Sequence, residues 1–99
     1  MKHPSDCQNI DEIRNAIDEL DTQIIQLLGK RFKYVKCVVQ YKEKNIDSIV
    51  AKERLEAVIN SRRNQAEANG LNADVVEKMY RLLINYFIEE ELKILKSNQ

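Results

Sequence analysis

From Ile10 to Val38 apolar residues return every three or four positions: Ile10, Ile13, Ile17, Leu20, Ile24, Leu27 and Leu28, then Val35 and Val38. That step marks one face of an α-helix. Asn9, followed three residues later by Glu12, has the form of an N-terminal cap, and Asp11 and Glu12 put negative charge where the helix dipole favours it. Gly29 is the only helix-weak residue before position 45, and it costs only about 1 kcal/mol relative to alanine. The pattern therefore predicts a helix over residues 9–44. The stretch "KNIDSIV" breaks the period with Asn45, Asp47 and Ser48. A second helix is predicted over residues 50–69, with Leu55, Val58, Ile59 and Ala66 on its inner face and Arg54 on the flank of that face. "NGLNAD" then reads as a stop and a start: Gly70 in the left-handed position, Leu71 packing back, Asn72 capping the next helix and Asp74 in its first turn. The third helix, over residues 73–96, carries Val76, Met79, Tyr80, Leu83, Ile84, Phe87, Leu92 and Leu95, with Leu83, Ile84 and Phe87 leading its apolar stripe. No segment alternates as a strand. The expected fold class is all-α, with one long and two shorter helices in a single domain of residues 1–99.

The first helix is too long for the rest of the chain. Some 35 residues make a rod of roughly 50 Å, whereas a globule of this chain length has a radius of gyration of about 13 Å. An apolar stripe along most of such a rod needs a second chain to cover it. An intertwined homodimer is the expectation.

Cations interrupt the stripe. Beyond Ile24 and Leu28 it runs through Arg31, then Val35 and Val38, then Lys42. Arg31 and Lys42 are 11 residues apart, which leaves them only about 20° apart around the helix. Arg14 lies 17 residues before Arg31, rotated by about 100°, so it would join the same site most naturally from the partner chain. On periodicity alone the plainer account stands beside this one: buried stems with heads in water, or an ion pair. Glu90 and Glu91 sit at the edge of the third helix's stripe, and the helical wheel does not say which of them turns inward.

Composition narrows the chemistry. Sixteen Lys and Arg balance sixteen Asp and Glu, so there is no broad basic footprint for nucleic acid. Cys7, Cys37 and the single His3 are too few and too scattered for a zinc site, and both thiols are expected to be small, partly buried side chains. No apolar run would span a bilayer and no leader pattern opens the chain, so the expected place is the cytoplasm, without a membrane partner. No metal or other cofactor is implied. Arginines and a lysine beside apolar walls suit a compact dicarboxylate, with chemistry that rests on positioning and electrostatics rather than a covalent intermediate.

At these residues the chain resembles the all-helical chorismate mutase family, and within it the isochorismate-pyruvate lyase branch. The resemblance is carried by "PSDC", "IRNAIDELDTQIIQLLGKR", "YVKCVVQYK", Arg54, "NGL" and "YFIEEEL", and it extends over nearly the whole chain. It implies that Arg14 is lent to the partner's site and that Arg31 and Arg54 hold substrate carboxylates. Lys42 would hydrogen-bond the ether oxygen of the breaking C–O bond, with Glu91 facing the same oxygen and Val35 and Ile88 as apolar lining. The segment after Lys42 matches a loop that closes over the ligand.

Two positions depart from the family pattern. Mutases carry an acid after the arginine matched by Arg54, where it binds the C4 hydroxyl of chorismate; here the residue is Leu55. An unpaired hydroxyl costs about 1–3 kcal/mol, so Leu55 favours isochorismate. Glu91 stands where family members usually carry Gln, and a carboxyl there helps only while it holds a proton. Burial by Phe87 and Ile88 favours that neutral form, and a nearby Lys42 opposes it. The expected activity is therefore isochorismate lyase, giving salicylate for siderophore synthesis. Chorismate mutase is the close alternative, and a non-catalytic helical dimer is the alternative from another class.

Overall fold

The computed structural model describes residues 2–41 and 52–97. Among the described residues, three α-helices and two 3-10 turns account for the regular structure, and no strand occurs. The helices are α1 (Ile10–Val38), α2 (Lys52–Ala68) and α3 (Ala73–Ser97). The fold class is all-α.

The start of α1 is fixed by its own side chains. Asn9 Oδ1 accepts the Glu12 backbone N–H at 2.9 Å, and Glu12 Oε2 accepts the Gln8 N–H at 2.7 Å. The first bond satisfies a donor that the helix terminus leaves open, and the second ties the residue before the cap to the first turn. Lys2 Nζ reaches the other Glu12 oxygen at 3.1 Å. The backbone bond from Gln8 and the Lys2 ammonium hold the Glu12 carboxyl below its ordinary value. Ahead of this cap, Pro4–Asp6 forms a 3-10 turn closed by the Asp6 N–H to the His3 carbonyl at 2.8 Å.

α-Helical bonding in α1 stops at Val38, short of the expected residue 44, and tightens into a 3-10 turn over Val39–Tyr41. Tightening of this kind is a common way to close a last turn. Residues 42–51, which include Lys42, the expected loop and the start of the expected second helix, lie outside the described residues.

The chain divides into two compact units, residues 1–34 and 35–99. In the first unit α1 buries no side chain, and its apolar row from Ile10 to Leu27 remains 44 to 61% exposed. Cys37, expected to be partly buried, is also exposed, whereas Cys7 is half-buried.

In the second unit α2 and α3 form a hairpin. Its turn is a Schellman motif: Leu71 N–H bonds the Ala66 carbonyl at 2.8 Å and Gly70 N–H bonds the Glu67 carbonyl at 3.2 Å. Gly70 has φ +73°, a conformation that costs other L-residues roughly 1–2 kcal/mol. Asn72 Oδ1 then caps α3 through the Val75 N–H at 3.0 Å. Leu71, expected to fold back, is exposed instead. Gly70→Ala should lower Tm by about 4–8 °C at fixed protein concentration, read by thermal denaturation. An unchanged Tm would mean that the turn does not hold the hairpin.

The hairpin closes on Val58, Ile59 and Ala66 of α2 and on Ala73, Phe87 and Leu95 of α3. The Val39–Tyr41 turn packs on α3 and adds the buried Val39. α2 is mostly polar, so an ion-pair ladder supplements this narrow core. Arg63 bonds Asp74 at 2.9 Å and Glu77 at 2.7 Å, and Arg81 bonds Glu77 at 2.7 Å and Glu56 at 3.4 Å. Arg81 first, then Arg63, hold the Glu77 carboxyl below its ordinary value of 4.5.

A lowered folded-state value means that this carboxylate stabilises the fold above the unfolded value and that the contribution is lost as pH falls through the folded one. Tm should accordingly drop on acidification from just above pH 4.5. Glu77→Gln should remove part of that drop in melts run over the same pH range. An equal drop in the variant would assign the acid sensitivity to other carboxylates, such as Glu12.

Candidate active site

The residues expected to hold a ligand occur in both units. Arg14 stands exposed in the second turn of α1, and Arg31 lies half-buried near its other end, engaged with neighbouring groups. Seventeen residues of continuous helix separate them by about 26 Å along the axis and rotate them by about 100°. No compact ligand can touch both guanidinium groups of one α1. If the two serve one site, they come from two copies of the chain.

In the second unit, Val35 is half-buried in the last turn of α1, and Arg54 is exposed in the first turn of α2 rather than on the inner flank. The ion pairs Glu56–Arg81 and Arg63–Glu77 set the hairpin's register. Arg54 lies two residues before Glu56, which pairs with Arg81. This is the end of the hairpin remote from Gly70.

α3 resolves the two adjacent glutamates that the wheel left open. Glu91 is 4% exposed, within a row of buried residues formed with Phe87 and Leu95, one turn to either side. Ile88, half-buried, lies three residues before it on the same flank. The Phe87 ring is tilted against Tyr86 with centroids 5.3 Å apart. Glu90 takes the outer course, where its carboxylate accepts from Lys93 Nζ at 3.0 Å.

A carboxyl inside an apolar row is costly unless its oxygens are satisfied. Glu91 is engaged, and no buried side-chain oxygen or nitrogen among the described residues lacks a partner. Arginines at exposed or half-buried positions are groups that can take up carboxylates from solvent.

Lys42 lies outside the described residues. Among those described, no cluster of three or more His, Cys, Asp or Glu side chains is set to hold a metal ion, and no helix is long and apolar enough to cross a membrane. A concavity of about 200 Å³ opens at the turn end of the hairpin, lined by Arg62, Ala66, Asn69, Leu71, Val76 and Tyr80 among others. There the Arg62 guanidinium lies 5.6 Å from the centre of the Tyr80 ring.

Comparison with known proteins bears on the same residues. The model of the chorismate mutase type II family matches residues 13–92, a span that runs across both units. The isochorismate pyruvate lyase of Pseudomonas aeruginosa is 41% identical over 93 residues, covering 94% of this chain and 91% of that protein. The T-protein of Haemophilus influenzae is 39% identical over 70 residues, which are 71% of this chain and 19% of that one. The bifunctional chorismate mutase/prephenate dehydratase of Buchnera aphidicola subsp. Schizaphis graminum is 30% identical over 82 residues, 83% of this chain and 21% of the relative. The chain thus spans nearly all of the first relative and about a fifth of the other two.

Proposed function

The chain belongs to the chorismate mutase type II family, and from that premise we propose that it splits isochorismate into salicylate and pyruvate. The observation that carries this reading is the end-to-end likeness to an isochorismate pyruvate lyase, 41% identical over 94% of this chain and 91% of the relative. Leu55 supports it, because a half-buried leucine offers nothing to a C4 hydroxyl.

The reaction needs no covalent intermediate. The C2 hydrogen of isochorismate moves to the methylene carbon of the enolpyruvyl group as the C–O bond breaks. That carbon becomes the methyl group of pyruvate, the ether oxygen becomes its carbonyl, and the ring is left aromatic. The protein's part is to hold the substrate in the reactive conformer and to stabilise charge growing on the ether oxygen. Arg31 and Arg54, with Arg14 from the partner chain, grip the two carboxylates. Lys42 donates to the ether oxygen, Glu91 faces it, and Val35 and Ile88 form apolar walls.

The uncovered row of α1 and the 26 Å between Arg14 and Arg31 along one helix (about 1.5 Å per residue) both support an intertwined homodimer. Residues 1–99 serve in it as one helical domain, since the family match runs through both units. The reaction is placed in the cytoplasm, without cofactor or nucleic acid, as one step in making salicylate for a siderophore.

Offering isochorismate and chorismate separately tests the reading. Salicylate fluorescence should rise with isochorismate, while chorismate should yield prephenate slowly. Prephenate alone would establish the mutase, a reading favoured by the likeness to the bifunctional chorismate mutase/prephenate dehydratase. Neither product, together with no thermal shift from a dicarboxylate transition-state analogue, would leave a non-catalytic helical dimer.

A further inference from the structure

Arg62, Arg63 and Arg81 of the hairpin are not used alike. Arg63 and Arg81 are each bound by two carboxylates. Arg62 is half-buried, yet among the described residues it forms no ion pair. One of its N–H groups reaches the Ser61 hydroxyl at 3.1 Å, and its guanidinium lies 5.6 Å from the centre of the Tyr80 ring. A cation over a ring is held by the ring's quadrupole rather than by a hydrogen bond. Most of the N–H donors of Arg62 therefore remain open.

The concavity of about 200 Å³ beside Arg62 has no acidic residue in its lining. Glu77, next to Val76 in sequence, is taken up by Arg63 and Arg81. The walls are the Tyr80 ring, Val76 and the exposed Leu71. Gln65 and Asn69 complete the lining, their amides tied to Ser61 Oγ at 3.1 Å and to the Gln65 carbonyl at 2.7 Å.

We propose that this concavity binds a single-ring aromatic carboxylate, apart from the active site. The open edge of an arginine matches the two oxygens of a carboxylate, and the apolar walls match a ring. Size agrees. An apolar cavity of about 150 Å³ is enough for benzene, so the space here takes one ring and its carboxyl group. Tyr80 and Glu91 are eleven residues apart on α3, about 16 Å along the axis, so the two places are separate. Salicylate belongs to the same class of ligand, and the concavity would then hold the product of the proposed reaction. That consequence alone rests on the lyase reading.

The test follows the amide resonances of the isotope-labelled full-length chain during titration with benzoate. Resonances of Asn69, Leu71, Val76 and Tyr80 should shift and saturate in the millimolar range, and salicylate should shift the same set. Acetate, which lacks the ring, and benzyl alcohol, which lacks the charge, should each bind at least about tenfold more weakly. Arg62→Gln should weaken benzoate by at least about tenfold, the worth of one charge-assisted hydrogen bond. Leu71→Ser alters an exposed side chain whose turn bond is made by the backbone. It should weaken benzoate by about threefold or more with the hairpin intact by circular dichroism, so the test holds even where Arg62→Gln loosens the fold. Absent shifts, shifts confined to residues around Arg31 and Glu91, or unchanged affinity in both variants overturn the site. Equal affinity for acetate or for benzyl alcohol overturns the ligand class. Binding of benzoate without salicylate overturns the product role. The lyase reading stands in every one of these cases, because it is decided by turnover of isochorismate.

Discussion

Lys42→Ala should reduce turnover of isochorismate by about 10²–10³-fold, with helix content, Tm and dimer mass unchanged. The size follows from what the side chain is proposed to do. As the C–O bond breaks, negative charge moves onto the ether oxygen, and one preorganised donor at such an atom is typically worth about 2.7–4 kcal/mol. A lysine provides that donor as a compact charge able to turn toward a single oxygen. Because the interaction strengthens only in the transition state, the loss should fall on kcat far more than on KM.

Arg31→Ala should behave differently. Arg31 is half-buried and is proposed to clamp a carboxylate, and loss of such a clamp weakens ground state and transition state together, so KM should rise as well. Near-normal kcat in Lys42→Ala would remove Lys42 from the mechanism, and a shared loss of kcat and KM in both variants would reduce it to a second clamp.

The parts of this site differ in how far they can be read from the sequence. The α1 row, the Asn9–Glu12 cap and the roles of Gly70 and Asn72 in the turn depend on local spacing and backbone chemistry, and they stand in the structure as the sequence pattern predicts, whereas the packing of Leu71 does not. Position on a wheel is weaker evidence where a helix carries apolar residues on most of its circumference. On α3 that ambiguity hid which apolar residues stay outside, and Val75, Met79, Leu82 and Tyr86 are all exposed. The same ambiguity left Glu90 and Glu91 undecided until packing of Phe87 and Leu95 around Glu91 separated them.

Arg54 shows a second limit. Its neighbour Leu55 is half-buried and Arg54 itself is exposed, and its place along α3 depends on pairs such as Glu56–Arg81 that lie 25 residues apart in sequence. Contacts of that kind leave no periodic trace. The assignment of Arg14, Arg31, Arg54 and Lys42 to one ligand comes from the family likeness and from the arithmetic of helix length, which forbids Arg14 and Arg31 of one α1 from sharing it.

Glu91→Gln should keep the turnover of isochorismate at or above that of the wild type. Glu91 is proposed to face the ether oxygen alongside Lys42. A protonated carboxyl donates a hydrogen bond to the charge growing there, whereas a carboxylate repels it. The amide of Gln donates in every case, so the variant should lose nothing in kcat. The substitution keeps the volume of a side chain that is 4% exposed in the row of Phe87 and Leu95, so packing is not the variable, and equal Tm values would show this. A fall in kcat of about tenfold or more at unchanged Tm would exclude donation at this position from the reaction, leaving the carboxyl as a buried group that orients its neighbours.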